Sequence, residues 1–392
     1  MTGPLTGLRV VELASLAPGP FAAMMLSDLG AEVLRVDRVV AAEPVSALPA
    51  AGLPDDPLAR GRRSVAIDLK HSDGAATFLH LAAVADVVLE GFRPGVCERL
   101  GIGPAACLAR NDGLVYARVT GWGQDGPLAH TAGHDIDYLA VSGALDPIGP
   151  GDAPPVPPLN YVGDFAGGGM LAVIGILAAL WERDRSGRGQ VVDAAMVEGA
   201  ALLSTHLHGL RAAGGWPAPR GGNLLDGGAP FYRTYACADG RFVAVGALEP
   251  RFYAELLKGL GLTDAGPDGE NLPDQYERGG WPVLHQRFAA VFATRTRDEW
   301  ARRFADTDAC VAPVLDPGEA PAHPHLASRR TFVEVGALLQ PGPAPKLSRT
   351  PGAVQGPAPH PGEHTREALR DWGFTDADVA ALLHSGALAT PP

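Results

Sequence analysis

The strongest constraint on this chain's fold is an alternation that begins at residue 8. Residues 8–13 (Leu8-Arg9-Val10-Val11-Glu12-Leu13) form a short apolar run without helical spacing, which predicts a buried strand. Ala17-Pro18-Gly19-Pro20 predicts a turn, and residues 21–29 carry the apolar spacing of a helix that Gly30 stops. Residues 32–37 then predict a second buried strand. A strand–helix–strand unit this short demands a parallel pair with a right-handed crossover. The alternation continues with strands predicted at 64–69, 86–90 and 114–119 and a helix at 74–83. The first ~125 residues are therefore expected to form a doubly wound, Rossmann-like α/β layer.

Further along, Gly167-Gly168-Gly169 predicts the start of a long apolar helix reaching about residue 183. A strand is expected at 190–195, followed by a helix from Met196. Glycine and proline crowd residues 212–230, a shift in composition that marks a boundary. Beyond it, residues 232–245 predict a hairpin with Asp239-Gly240 in its turn, and helices are expected at 250–260, 281–294 and 297–305. A chain of 392 residues exceeds what one core normally serves. The expected organisation is a large, discontinuous α/β domain (1–210 and 335–392) and a smaller α+β domain (228–325). Linkers are placed at about 211–227 and 326–334.

Composition removes several classes of function. A formal net charge of −12 argues against nucleic acid or an anionic membrane as partner, since both require a concentrated positive field. The apolar stretch 167–181 spans about fifteen residues, short for a bilayer, so no membrane span is expected. The opening Met1-Thr2-Gly3-Pro4-Leu5 has no basic region, and no secretory signal is expected. Cys97, Cys107, Cys237 and Cys310 lie far apart without CxxC spacing, as in a reduced cytoplasmic protein that uses them neither for disulfides nor for zinc.

The first unit has the outline of a dinucleotide site, with Asp37 closing its second strand. Its turn, Ala14 to Pro20, lacks G-x-G-x-x-G, so a nicotinamide-dependent dehydrogenase is the disfavoured alternative. Basic residues instead gather beside the strands: Arg38, Lys70 and Arg93 where strands end, Arg99 one turn after Arg93, and the run Arg60-Gly61-Arg62-Arg63 before the strand that ends at Leu69-Lys70. Loops beyond the carboxyl ends of a parallel sheet converge on its ligand crevice, and guanidinium forks match phosphate oxygens. Solvated surface arginines are the plainer account of any single one; the group points to a phosphorylated ligand. Three ionisable positions stand beside glycine or proline at the ends of apolar elements: His134-Asp135 after Gly133, Asp164 before the glycine run, and Glu249 before Pro250. Asp164, two residues before the expected helix, also suits a helix cap. No Ser/His/Asp spacing, H-x-x-x-H pair or phosphate loop is present. From the residues alone the chain is an α/β enzyme for a phosphorylated ligand, with histidine and carboxylates available.

Several of these same runs carry a resemblance. Leu26-x-Asp28-Leu29-Gly30-Ala31-Glu32-Val33, Glu90-Gly91-Phe92-Arg93-Pro94-Gly95, Gly121-Trp122-Gly123-Gln124-Asp125-Gly126-Pro127 and Pro361-Gly362-Glu363-His364-Thr365 resemble the class III CoA-transferase and α-methylacyl-CoA racemase superfamily. The resemblance covers nearly the whole chain. It implies an interlocked homodimer, an acyl-CoA substrate held by the large domain, and no separate cofactor or metal. Two chemistries then compete. In a racemase, residues like His134 and Asp164 are opposed bases supported by one like Glu249, with Asp135 alongside. In a transferase, an aspartate like Asp164 is a nucleophile. Gly133-His134-Asp135 and Gly246-Ala247-Leu248-Glu249-Pro250 resemble the racemases, which favours inversion of a 2-methylacyl-CoA. Coenzyme A contacts are then expected at Arg38, Arg62, Lys70, Arg93, Arg99, Gly133 and Tyr138.

Overall fold

The computed structural model describes residues 3–39, 56–262 and 271–391. Among them the chain forms two compact units. The first comprises residues 3–39, 56–142, 159–203 and 324–391, and the second 143–158, 204–262 and 271–323.

The first unit is built on a parallel sheet of β1 (Arg9–Leu13), β2 (Glu32–Asp37), β3 (Arg63–Ile67), β4 (Val87–Glu90), β5 (Val115–Thr120) and β6 (Val191–Ala195). Their order is β3-β2-β1-β4-β5-β6, the doubly wound order expected from the alternation. A short strand, Leu388–Ala389, adds antiparallel to β3 at the edge, where only helices were expected near the C-terminus. Both faces of the sheet are covered. Phe78, Leu81, Trp372 and Val379 pack with Val11, Leu34 and Val88 on one face, and Leu26, Val173 and Ile176 with Val10, Val33 and Leu89 on the other. Burial on both faces explains why these strands read as continuous apolar runs instead of alternating ones.

Helix α1 (Pro18–Asp28) follows β1 through Ala17, held at φ 45° and ψ −88°. Order changes direction between β1 and β4, so the loops after these strands border the switch point. A Cβ at Gly91, just after β4, would lie 3.0 Å from the Ser15 hydroxyl after β1, so the two loops meet there.

The glycine run lies inside a helix instead of at its start. A π-helix, Tyr161–Met170, continues directly into an α-helix, Leu171–Ser186. The combined run of 26 residues, mean hydropathy 1.7 over its most apolar window, is long and apolar enough to cross a membrane, which corrects the estimate of fifteen. Ala172, Val173, Ile176, Ala179 and Leu180 nevertheless pack into the unit's own core. The glycines permit close approach to α1 and to the helix Met196–Leu203: a Cβ at Gly169 would lie 2.7 Å from the Phe21 ring, and one at Gly199 2.0 Å from the Gly167 carbonyl oxygen. Gly199→Ala should therefore push two backbones apart and cost about 1–3 kcal/mol, measured by urea unfolding. A neutral result would mean that these helices do not pack as closely as drawn.

The second unit carries an antiparallel sheet of β7 (Tyr232–Ala236), β8 (Phe242–Gly246) and β9 (Val311–Pro313). The expected hairpin is present with Gly240 at φ 73° in its turn; β9 was not anticipated. Helices Pro250–Leu260, Trp281–Phe292 and Arg297–Phe304 bring Leu256, Phe288, Phe292 and Trp300 onto the same core as Phe231 and Val243.

Candidate active site

After β5 the chain runs through Gly121-Trp122-Gly123 to a helix at Asp135–Ser142, and glycines fix how that helix begins. Tyr138 fills a slot in which a Cβ at Gly121 would lie 2.3 Å from its ring and one at Gly133 2.7 Å. Trp122 meets the Tyr138 ring edge-on, with centroids 4.9 Å apart. The Tyr138 hydroxyl donates to the Gly133 carbonyl, closing the loop onto the helix. The His134 backbone N–H donates to the Asp137 carboxylate at 2.9 Å, and its carbonyl accepts from the Asp137 N–H at 2.9 Å. His134 thus has a fixed backbone and an exposed imidazole.

Asp164 sits in the first turn of the π-helix, so the capping role its sequence position suggested is not what it does: the helix begins three residues earlier than Asp164, at Tyr161. Its carboxylate is half-buried and accepts from the Asn160 side-chain amide at 3.2 Å. Its backbone N–H, one of the groups that a helix start leaves without an intrahelical acceptor, donates to the Asp135 carboxylate at 2.7 Å. Burial pushes the Asp164 carboxyl above its ordinary range; the Asn160 bond opposes this, the Asp135 charge adds to it, and the His134 charge opposes it. Burial, then the charges of Asp164 and Asp137, push the Tyr138 phenol up to about 12, while Arg93 acts the other way.

The structure therefore brings His134, Asp135, Asp164, Gly133 and Tyr138 together, with Arg93 close enough for its charge to be felt. Arg38 and Lys70 are exposed just beyond β2 and β3, and Arg99 is exposed with Nη1 3.1 Å from where a Gly95 Cβ would stand. Arg62 is elsewhere in kind. Its side chain is wholly buried, with Nε donating to Glu12 at 3.1 Å, Nη1 to the Arg60 carbonyl at 2.9 Å and Nη2 to the Pro20 carbonyl. With these donors engaged inside the fold, Arg62 does not face a phosphate; this corrects the expectation that counted it among the coenzyme A contacts. Asp37 is also committed, accepting from the Ser64 hydroxyl at 2.7 Å and pairing with Arg35 at 3.0 Å.

Glu249 belongs to the second unit, exposed just before the helix that Pro250 opens. Its charge, after burial, helps to push up the Cys310 thiol, which lines a cavity of about 780 Å³ beside Gly246 and Arg233. Among the described residues, no three His, Cys, Asp or Glu side chains converge as a metal ion requires. Asn160 and Gly163 were not singled out from the sequence. The available signal was spacing: Asn160 stands four residues before Asp164, one helical turn away.

Taken chemically, the site offers an exposed imidazole and a half-buried carboxyl that holds its proton more readily than usual, two groups able to accept and return protons. Comparison with known proteins places the chain in a family. The model of CoA-transferase family III matches residues 5–365. The α-methylacyl-CoA racemase of Mus musculus is 51% identical over 380 residues, 96% of each chain, and that of Homo sapiens 47% over the same coverage. The crystal structure of a CaiB/BaiF family protein from Brucella suis shares the fold at a TM-score of 0.82 and 24% identity, covering 95% of this chain and 100% of that one.

Proposed function

We propose that this chain, which belongs to CoA-transferase family III, is an isomerase that inverts the α-carbon of 2-methylacyl-CoA thioesters. The observation that carries this reading is the convergence of His134 and Asp164, tied together through Asp135, in a chain half identical to named racemases over nearly its full length.

The chemistry follows from the groups. A thioester acidifies its α-proton enough for a side-chain base to remove it, provided that donors stabilise the enolate oxygen. We assign His134 and Asp164 to opposite faces of that carbon: one takes the proton, the other returns one from the far side. Glu249 takes a supporting role, orienting or charging the histidine. Arg38, Lys70, Arg93 and Arg99 are assigned to the phosphates of coenzyme A, and Gly133 and Tyr138 to the thioester end. The proposal needs no separate cofactor or metal. It includes an interlocked homodimer in the cytoplasm, acting in fatty acid metabolism, with no nucleic acid or membrane as partner.

The family name supports a second reading, a CoA-transferase with Asp164 as nucleophile. The two separate cleanly in heavy water. A racemase given one enantiomer of a 2-methylacyl-CoA, with no acceptor acid, should place deuterium at the α-carbon and lose optical purity. A transferase should leave the α-carbon untouched, require a second carboxylate, and yield to hydroxylamine at Asp164. Transfer without exchange would end the racemase proposal.

A further inference from the structure

Asp135 has been given no proton-transfer step, yet it is more deeply buried than either base, at 6% exposure. One of its oxygens accepts the Asp164 N–H at 2.7 Å; the other is buried with no hydrogen-bond partner. Gly163 is shaped to the same contact, since a Cβ there would lie 2.5 Å from that accepting oxygen. Only glycine lets the carboxylate reach the backbone. The wide turn contributes as well: the Phe165 N–H reaches back to the Asn160 carbonyl at 3.3 Å, five residues away, while the Asp164 N–H is left for Asp135.

We propose that Asp135 is a positioning residue, which holds the Asp164 peptide so that its carboxyl meets the substrate's α-carbon and sets a second carboxylate beside it. This rests on the proton-transfer role proposed for Asp164. The contact joins residues 29 positions apart, the helix turn that bears His134 and the π-helix that bears Asp164, so one bond sets the spacing of both bases. A charged acceptor makes that bond stronger than a neutral one. The second effect is electrostatic: a like charge beside a carboxyl disfavours ionisation, the direction seen at Asp164. The other groups facing Asp164 are His134, whose charge opposes Asp135, the neutral Asn160 and the Tyr138 phenol. The neighbouring helices present Pro18, Phe21, Met196 and Ala200 to the π-helix.

Two substitutions separate position from charge. Asp135→Asn keeps an acceptor for the Asp164 N–H and removes the charge; Asp135→Ala removes both. In the full-length protein, the Asp164 carboxyl is titrated by carbon-13 NMR, and α-proton exchange is followed against pH for each enantiomer. Both variants should lower the carboxyl's titration midpoint. The Asn variant should carry the acid limb of the exchange profile to lower pH while keeping most of its plateau rate. The Ala variant should lose on the order of 10²-fold in exchange from the enantiomer that Asp164 serves, the cost of a base displaced by about an ångström, with KM little changed. Unchanged midpoints, or equal losses for both enantiomers with an unmoved pH limb, would overturn the proposal. If the unaltered enzyme exchanges no α-proton, the racemase reading fails instead, and the midpoint in the Asn variant still decides what Asp135 does to Asp164.

Discussion

His134→Ala should abolish racemisation in both directions, yet abolish α-proton exchange from only one enantiomer. If the imidazole and the Asp164 carboxyl serve opposite faces, racemisation needs both, whereas wash-out of the α-proton needs only the base on that enantiomer's side. Asp164→Ala should show the mirror pattern, with each missing base costing about 10²- to 10⁴-fold on its own side. Glu249→Gln should be milder on both sides, because a group that only orients or charges the histidine transfers no proton to substrate. The check is exchange in heavy water, one pure enantiomer at a time, with the loss of optical purity recorded in the same sample. Should both alanine variants lose exchange from the same enantiomer, His134 and Asp164 would form a relay on one face, and the opposed-base arrangement would be wrong.

A loss of similar size, in stability, is expected from Glu12→Ala. Glu12 and Arg62 are 1% and 0% exposed in their side chains, and burial pulls the Arg62 guanidinium below its ordinary range while the Glu12 charge works against that. Removing the carboxylate leaves a buried cation without its counter-charge, at a cost of about 3–5 kcal/mol read from urea unfolding. Replacing both partners, Glu12→Leu with Arg62→Met, removes the stranded charge and should recover part of this. Recovery stops short because the Arg60 carbonyl loses its donor, at about 1–3 kcal/mol if left unsatisfied. In that double variant the apparent KM for acyl-CoA should stay near its original value. A large rise in KM in a folded double variant would restore Arg62 to the phosphate site from which its burial removes it.

Arg62 shows where a reading of the sequence stops. Arg38, Lys70 and Arg93 follow the carboxyl ends of strands, whereas Arg62 precedes β3. What the local sequence does not show is the partner of Arg62, a carboxylate fifty residues earlier in the chain, brought beside it by the packing of β1, β2 and β3. The π-helix is a similar case. Gly167-Gly168-Gly169 read as a helix start because glycine weakens a helix interior. Packing against Phe21 and Met196 makes the absence of a Cβ worth more than that cost, so the helix runs through the glycines and Asp164 falls within its first turn.

By itself the sequence determined the doubly wound sheet, because buried parallel strands and their crossover helices write their periods directly into the apolar pattern. Its motifs also pointed to the right family and to His134, Asp135 and Asp164, which the fold of the first unit brings near one another. Only the tertiary structure decided which arginines face outward, that Asp135 turns inward to hold the Asp164 peptide, and that Gly163 makes room for it. The reason is physical: periodicity records which face of an element is buried, whereas hydrogen-bond partners and clearances of 2–3 Å depend on elements tens of residues apart, whose relative placement no local pattern encodes.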